Sequence, residues 1–201
     1  MLKLPVTAAL SRFRCSSPQQ ASIQAVTQPD FMGSGIYQTS AKYYDNAYAV
    51  KPDLVDLPFY LDLAKQIGGP ILEMGCGTGR VLLPIARAGV EIHGLDNAPT
   101  MLNILRERIQ NEPVEVRNKI TLHEGDMRQF RGQKKYALVT IPFRPMQHMY
   151  TLEDQLAALK TGAFHLDRDG ILAFDVFFPK FHLMDTGIGE EMLELEWPVK
   201  S

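Results

Sequence analysis

Cysteine is nearly missing from this chain of 201 residues: only Cys15 and Cys76 occur, far apart and in unlike settings. A disulfide framework is therefore excluded as an organising device, and a reducing, cytoplasmic setting is the natural expectation. Long apolar runs are missing too. None approaches the ~20 residues that cross a bilayer, so a soluble protein with no membrane partner is expected. Charge of one sign is also scarce, with a formal net charge of −2. A surface so balanced offers no general attraction to nucleic acid or to an anionic membrane, and a nucleic-acid partner is not expected. The five histidines are scattered, with no pair at helical metal-ligand spacing, so no metal is expected. No internal repeat or low-complexity tract interrupts the chain, and its length suits one substantial core.

What is present centres on Ile71-Leu72-Glu73-Met74-Gly75-Cys76-Gly77-Thr78-Gly79-Arg80. A short apolar run ending in an acid reads as a buried parallel strand. The alternating glycines that follow allow a tight turn and close approach of backbone to a ligand. Val81 to Gly89 reads as a helix, so the turn lies at a helix N-terminus, where unpaired N–H groups can meet a carboxylate or a ribose hydroxyl. The spacing of Gly75, Gly77 and Gly79 is not the G-x-G-x-x-G of a dinucleotide fold. Cys76 at such a turn could carry a lowered thiol pKa, but a small residue that fits the turn is the preferred reading.

E-x-G-C-G-T-G-R after a strand resembles motif I of the class I S-adenosylmethionine-dependent methyltransferases, especially those acting on small molecules. The resemblance extends over roughly residues 43–179 and rests on several separate motifs. It implies a Rossmann-like, doubly wound α/β sheet, mostly parallel, with helices on both faces. It also implies S-adenosyl-L-methionine as methyl donor and a small-molecule acceptor. In that family Glu73, Gly75, Cys76, Gly77 and Gly79 would form the first cofactor motif.

Residues 1–30 hold Lys3, Arg12 and Arg14 but no acid before Asp30, amid Ser, Thr, Gln and Ala. A transit peptide has this composition, but a flexible N-terminal extension is the reading adopted, leaving 31–201 as the methyltransferase-like domain. Between Phe31 and Val50 the chain is aromatic. The resemblance places Tyr44-Asp45 in a segment that folds over the cofactor and lines the acceptor pocket; otherwise these tyrosines cap the core. Asp56 can cap a helix to about Ile67 whose Leu57, Leu61, Ala64 and Ile67 share one face.

Val90 to Leu95 reads as a second strand with Asp96 at its end, about 20 residues beyond the glycines, where an acid in a βαβ unit reaches ribose hydroxyls. A lone aspartate here is otherwise a helix cap. The stretch Gly94-Leu95-Asp96-Asn97-Ala98-Pro99-Thr100-Met101 resembles the family's second cofactor motif, which implies contacts from Asp96, Asn97 and Met101. Ala98 stands where the family often has Ser, which weakens the cap. A helix from about Pro99 to Gln110 turns Leu102, Leu105 and Ile109 inward; 111–118 reads as a loop. Lys119 to His123 is a third strand. The Gly125-Asp126-Met127 after it resembles the adenine site, Asp126 accepting from the exocyclic amine and Met127 offering its N–H and side chain.

Tyr136 to Ile141 reads as a buried fourth strand that Pro142 stops. The resemblance puts Ile141 beside the cofactor and the next residues at the methyl-donor end. Ile141-Pro142-Phe143-Arg144 lacks the polar first residue of the DNA amino-methyltransferase signature, which disfavours a nucleobase acceptor. His148 is the candidate general base, Arg144 a candidate clamp for an acceptor carboxylate, and Tyr44 a candidate hydrogen-bond donor. Packing is the competing role for each. Thr151 and Asp154 approximate a capping box for a helix to about Leu166 with Leu152, Leu156, Leu159 and Ala163 buried. Asp167 to Gly170 turns the chain, and Ile171 to Phe177 is the fifth strand. The family's sheet has seven strands, and the residues after Pro179 leave room for a sixth, at Glu191 to Val199, but not a seventh. The C-terminal edge is therefore expected to be incomplete. Methyl transfer is favoured over two competitors, a nicotinamide-dependent oxidoreductase and a catalytically silent cofactor-binding module.

Overall fold

A computed structural model describes residues 56–176. Tyr44, the segment 1–30 and the expected strand at 191–199 lie outside the described residues. Five parallel strands form one sheet in the order β3-β2-β1-β4-β5. The strands are β1 (Ile71–Met74), β2 (Ile92–Asp96), β3 (Ile120–Glu124), β4 (Tyr136–Ile141) and β5 (Leu166–Phe174). The order reverses between β1 and β4, and a cleft opens at that reversal, beyond the carboxyl ends of the strands. β1 is central and buried at all four positions, the pattern of a strand covered on both faces.

One face is covered by α1 (Asp56–Ile67), α2 (Leu82–Arg87) and α3 (Pro99–Gln110), whose Tyr60, Ala64, Leu82, Ile85, Leu102 and Leu105 pack with Ile71, Ile92 and Leu138. Leu57, Leu61 and Ile67 lie on the inward side of α1, as their spacing indicates. Gly68, at φ 76°, ends the helix in the left-handed region, and its N–H donates to the Ala64 carbonyl. α2 is shorter than the reading from Val81 to Gly89, because the backbone still turns through Arg80 and Val81 before the first helical residue. Residues 111–118, read as a loop, contain the single turn α4 (Val114–Arg117). The Pro113 carbonyl starts it, and burial of Val116 in the core holds it.

The opposite face carries α5 (Leu152–His165), and here the sequence pattern misleads. Thr151 caps the helix, its hydroxyl accepting from the Asp154 N–H at 3.1 Å. Of the expected face only Leu159 packs, partly buried, against the core; Leu152 is 71% and Leu156 43% exposed, Ala163 is exposed, and the buried positions are Ala158, Thr161, Gly162 and His165. Small residues let the helix approach closely: a Cβ on Gly162 would stand 3.1 Å from Leu172. The two polar residues satisfy one another's surroundings. The Thr161 hydroxyl donates to the Arg128 carbonyl, and His165 bonds the Thr161 carbonyl and the Gly132 N–H. Both needs outweigh the leucine pattern.

The connection from β3 to β4 contains no helix. Its place is taken by a stack of rings in which Phe130 lies 5.0 Å from His165 and 5.2 Å from His123. His93, in β2, completes this layer. Its Nδ1 is 3.0 Å from both His123 Nε2 and the Tyr136 hydroxyl. Burial pushes the pKa of all three imidazoles below its ordinary value, which favours the neutral rings such a layer requires. The expected turn at Asp167 to Gly170 exists as a bulge inside β5: Leu166 pairs with Tyr136, but Ile171 already pairs with Leu138. β5 ends at Phe174, short of the expected Phe177, which lies outside the described residues.

Candidate functional site

The glycine turn is shaped by its backbone and pinned by one side chain. Gly75, Gly77 and Gly79 have φ of 82°, 52° and 89°, the left-handed region that penalises any residue with a Cβ. The Gly75 and Cys76 N–H groups donate to the Leu95 carbonyl at 2.7 and 3.1 Å, which ties the turn to the end of β2. Asp96 completes the tie: Oδ2 accepts from the Gly77 N–H at 2.7 Å and Oδ1 from the Ala98 N–H at 2.9 Å. Ala98 makes no side-chain cap of α3, so Asp96 does part of that work from two residues upstream. Burial raises the Asp96 pKa, against backbone donors that lower it.

Cys76 is buried beneath this turn. Burial first, and the nearby acids Asp96 and Glu73 next, push its thiol well above the ordinary range. The lowered pKa considered for a helix N-terminus is thus reversed, and Cys76 acts as a small space-filler. It sits so close to β2 that a Cβ on Gly94 would meet its Sγ at 2.8 Å.

A cleft of about 170 Å³ runs along the carboxyl ends of β1, β2 and β3 and reaches the segment after β4. It is lined by Glu73, Gly75, Cys76 and Gly77 from the glycine turn, Asp96, Asn97 and Met101 from the end of β2 and the start of α3, and Asp126 and Met127 from the residues after β3. Glu73 is 2% exposed, and its Oε2 has no hydrogen-bond partner among the described residues. Burial pushes its pKa up to about 8; Arg80 lowers it in part, while Asp96 and Asp56 add to the rise. A buried carboxyl aimed into a cleft with an open lone pair is a ready partner for a cationic or donor group of a ligand. Gly77 offers a second sign of ligand space, because a Cβ there would meet no atom within 4 Å.

Asp126 is held by Arg128, whose Nε donates to Oδ1 and Oδ2 at 3.0 and 2.9 Å. Burial raises the Asp126 pKa, but the bonds from Arg128 outweigh it and the net shift is downward, so this carboxylate is an ionised acceptor. Arg128 also donates to Asp154 at 2.9 Å and so links this part of the cleft lining to the cap of α5. Nothing in the local pattern marks that long-range pairing.

The remaining candidates fall less evenly. His148 ends the short 3₁₀ helix Pro145–His148 and lines the cleft. Burial and then the Arg144 charge lower its pKa, so the imidazole is neutral at neutral pH. Arg144 precedes that helix, its guanidinium 5.3 Å from the Phe143 ring, and does not line the cleft. Ile141 is fully buried in β4, and Gly79 packs against Leu83 and Leu105; neither lines the cleft. Tyr44 lies outside the described residues. Arg80, Phe143 and Met149 line the cleft without having been singled out as site residues. Arg80 ends the motif I stretch, and Phe143 and Met149 follow Ile141 in the segment expected at the methyl-donor end; these were the available signals. Among the described residues no group of His, Cys, Asp and Glu is placed to hold a metal, and no helix is long and apolar enough to cross a membrane.

A parallel sheet reversing at β1, a glycine turn after β1 and an acid ending β2 define a nucleotide-type α/β domain. Its particular kind follows from comparison. Residues 71–170 match the methyltransferase domain family, and the chain belongs to the class I S-adenosylmethionine-dependent methyltransferases. Over 166 residues it is 32% identical to dTDP-3-amino-3,6-dideoxy-alpha-D-glucopyranose N,N-dimethyltransferase from Streptomyces fradiae, covering 80% of this chain and 60% of that protein. It is 31% identical over 111 residues to a dTDP-3-amino-3,4,6-trideoxy-alpha-D-glucopyranose N,N-dimethyltransferase from Streptomyces venezuelae, covering 55% of this chain and 44% of that one. Among solved structures, a SAM-bound amino pentose methyltransferase from Micromonospora echinaspora superposes with a TM-score of 0.59 at 27% identity, covering 69% of this chain and 58% of that one. The chain therefore spans about half the length of these relatives.

Proposed function

We propose that this domain binds S-adenosyl-L-methionine in the cleft and transfers its methyl group to a small-molecule acceptor, with an amine on a sugar-like molecule as the first class to test. One observation carries the reading: a single cleft collects the orphan carboxyl of Glu73, the glycine turn tied to Asp96, and the ionised Asp126, and it opens beside His148. The relatives' amino-sugar substrates support the choice of acceptor class.

S-adenosylmethionine, when bound, supplies an electrophilic methyl group on a sulfonium. Glu73 would take the ligand's ammonium against its unpartnered oxygen, which also favours the ionised carboxylate. Asp96 would accept from ribose hydroxyls with lone pairs not used by Gly77 and Ala98. Asp126 would accept from the adenine amine while Met101 and Met127 cover the ring. At the other end the residues have less to do, because in-line displacement depends mainly on alignment, worth ~7–11 kcal/mol in well-oriented systems. A protonated amine must lose its proton before it can attack, and His148 is the neutral base beside the cleft. Tyr44 is proposed to hydrogen-bond the cofactor or acceptor; Arg144, which does not line the cleft, is given no contact with either.

Calorimetry with S-adenosylhomocysteine and NADH tests the binding half. S-adenosylhomocysteine should bind and NADH should not; NADH binding without a response to S-adenosylhomocysteine would sink the reading. Transfer of a labelled methyl group to a panel of amino sugars tests the second half. A protein that binds the cofactor yet methylates nothing across amine, hydroxyl and carboxylate acceptors is a silent binding module.

A further inference from the structure

The segment that closes the cleft after β4 is costly to hold. Phe143 and Arg144 have φ of 67° and 71°, and neither is Gly or Asn. The left-handed region penalises any residue with a Cβ, and two in succession persist only where the surroundings fix them. The fixing groups come from far along the chain. The Phe143 N–H donates to Asp175 Oδ1 at 2.6 Å, and the same oxygen accepts from the Tyr60 hydroxyl at 2.8 Å. Tyr60 is fully buried in α1, so the carboxylate is anchored to the core rather than swinging from the end of β5. The Arg80 guanidinium lies 4.6 Å from the Phe143 ring centroid, and Arg80 is in turn held by Asp56, Nη1 to Oδ1 at 2.9 Å. On the other side a Cβ on Gly75 would meet Pro145 at 3.0 Å, so the turn lies against the glycine loop itself.

Asp175 does not line the cleft, whereas Pro142, Phe143, Pro145 and His148 do. We infer that Asp175 is a positioning residue: anchored on Tyr60, its carboxylate pins the Phe143 amide, holds the two left-handed residues in place, and thereby closes the cleft and aims His148 into it. The inference rests on reading the cleft as the cofactor and acceptor site. Its physical content is that the turn's strain is offset by one bridging oxygen shared between α1 and the residue after β5.

Two readouts test it: S-adenosylhomocysteine affinity by calorimetry, and exchange of the Phe143 amide proton by NMR. Asp175→Ala should speed Phe143 exchange and weaken S-adenosylhomocysteine roughly 10-fold, the order expected when a hydrogen bond to a charged group is lost. Asp175→Asn keeps a carbonyl acceptor and should recover most of the affinity. Adding Arg144→Gly to Asp175→Ala should also restore binding, because glycine takes positive φ without the penalty; a merely structural aspartate would show no such rescue. A folded Asp175→Ala protein with wild-type affinity and wild-type Phe143 exchange would overturn the inference, as would a loss that Arg144→Gly leaves untouched. Should Asp175→Ala fail to fold, Tyr60→Phe removes only the anchoring hydroxyl: faster Phe143 exchange supports the assignment and unchanged exchange overturns it. Wild-type protein that binds no S-adenosylhomocysteine would instead overturn the reading of the cleft, and the positioning role with it.

Discussion

The two turns that line the cleft are built by different means. At the glycine turn the conformation is written locally: glycines occupy the positive-φ positions, and the pinning acid lies at the end of the neighbouring strand. At the turn after β4 the same backbone region is occupied by Phe143 and Arg144, and the restraint comes from Tyr60 and Asp175, 115 positions apart in the chain. The first turn is a preformed mould that needs little help. The second is held under load, as segments that admit and align a reactant often are.

The largest expected effect separates the two turns by function. His148→Asn should lower turnover about 10²- to 10⁴-fold on a protonated amine, the range for a general base, while S-adenosylhomocysteine affinity stays close to wild type. The wild-type rate should rise with pH through one ionisation lying below the ordinary histidine value, given the lowering by burial and Arg144, and that limb should vanish in the variant. If rate and pH profile both survive the substitution, alignment carries the chemistry without a base.

Next comes the buried acid of the mould. Glu73 has an ordinary pKa near 4.5 and a folded pKa near 8, so between these values the native state binds more protons than the unfolded chain. Stability is then fully present below about pH 4.5 and is lost as pH rises through about 8. At ~1.4 kcal/mol per pKa unit the loss is on the order of a few kcal/mol. Glu73→Gln should show a flatter dependence, and melting curves at pH 5 and pH 8 measure the difference. Equal slopes for both proteins would mean that the carboxyl is ionised throughout or finds a partner.

Asp96→Asn tests the pin. Loss of charge at a ribose-binding acid should weaken S-adenosylhomocysteine by roughly 10- to 150-fold, from about 1.5–3 kcal/mol for a charge-assisted bond. The retained carbonyl can still accept from Gly77 and keep the turn in place. Unchanged affinity in calorimetry would leave Asp96 a purely architectural residue.

The smallest effect belongs to a glycine that does not line the cleft. A Cβ on Gly79 would stand 2.4 Å from Leu105 at φ 89°, so Gly79→Ala should cost about 1–3 kcal/mol of stability, read by denaturant unfolding. A wild-type midpoint would show that α3 shifts freely, and that the mould is softer than its backbone suggests.

How much was legible follows the same division. The strands β1, β2 and β4, the glycines at the cleft and the acid at Asp96 came from short-range pattern, since a buried parallel strand, a glycine turn and a strand-end acid each occupy only a few residues. α5 was misread because leucines at helical spacing describe an amphipathic helix without saying which neighbours it meets. Close approach through Ala158 and Gly162 and the buried bonds of Thr161 and His165 chose another face. The ring layer between β3 and β4, Phe130 against His123 and His165, was not legible because no local period records a stack of residues so far apart in the chain.

The sequence by itself determined the parallel α/β order, the glycine mould and the family, because each is encoded by residues adjacent in the chain and by conformations that only certain residue types adopt. Tertiary structure alone decided which face of α5 is buried, that Glu73 keeps an open oxygen, that Arg128 also reaches Asp154, and that Asp175 meets Tyr60 and Phe143. The physical reason is that burial, desolvation and hydrogen bonding between distant residues depend on distances that exist only once the sheet has brought its elements together.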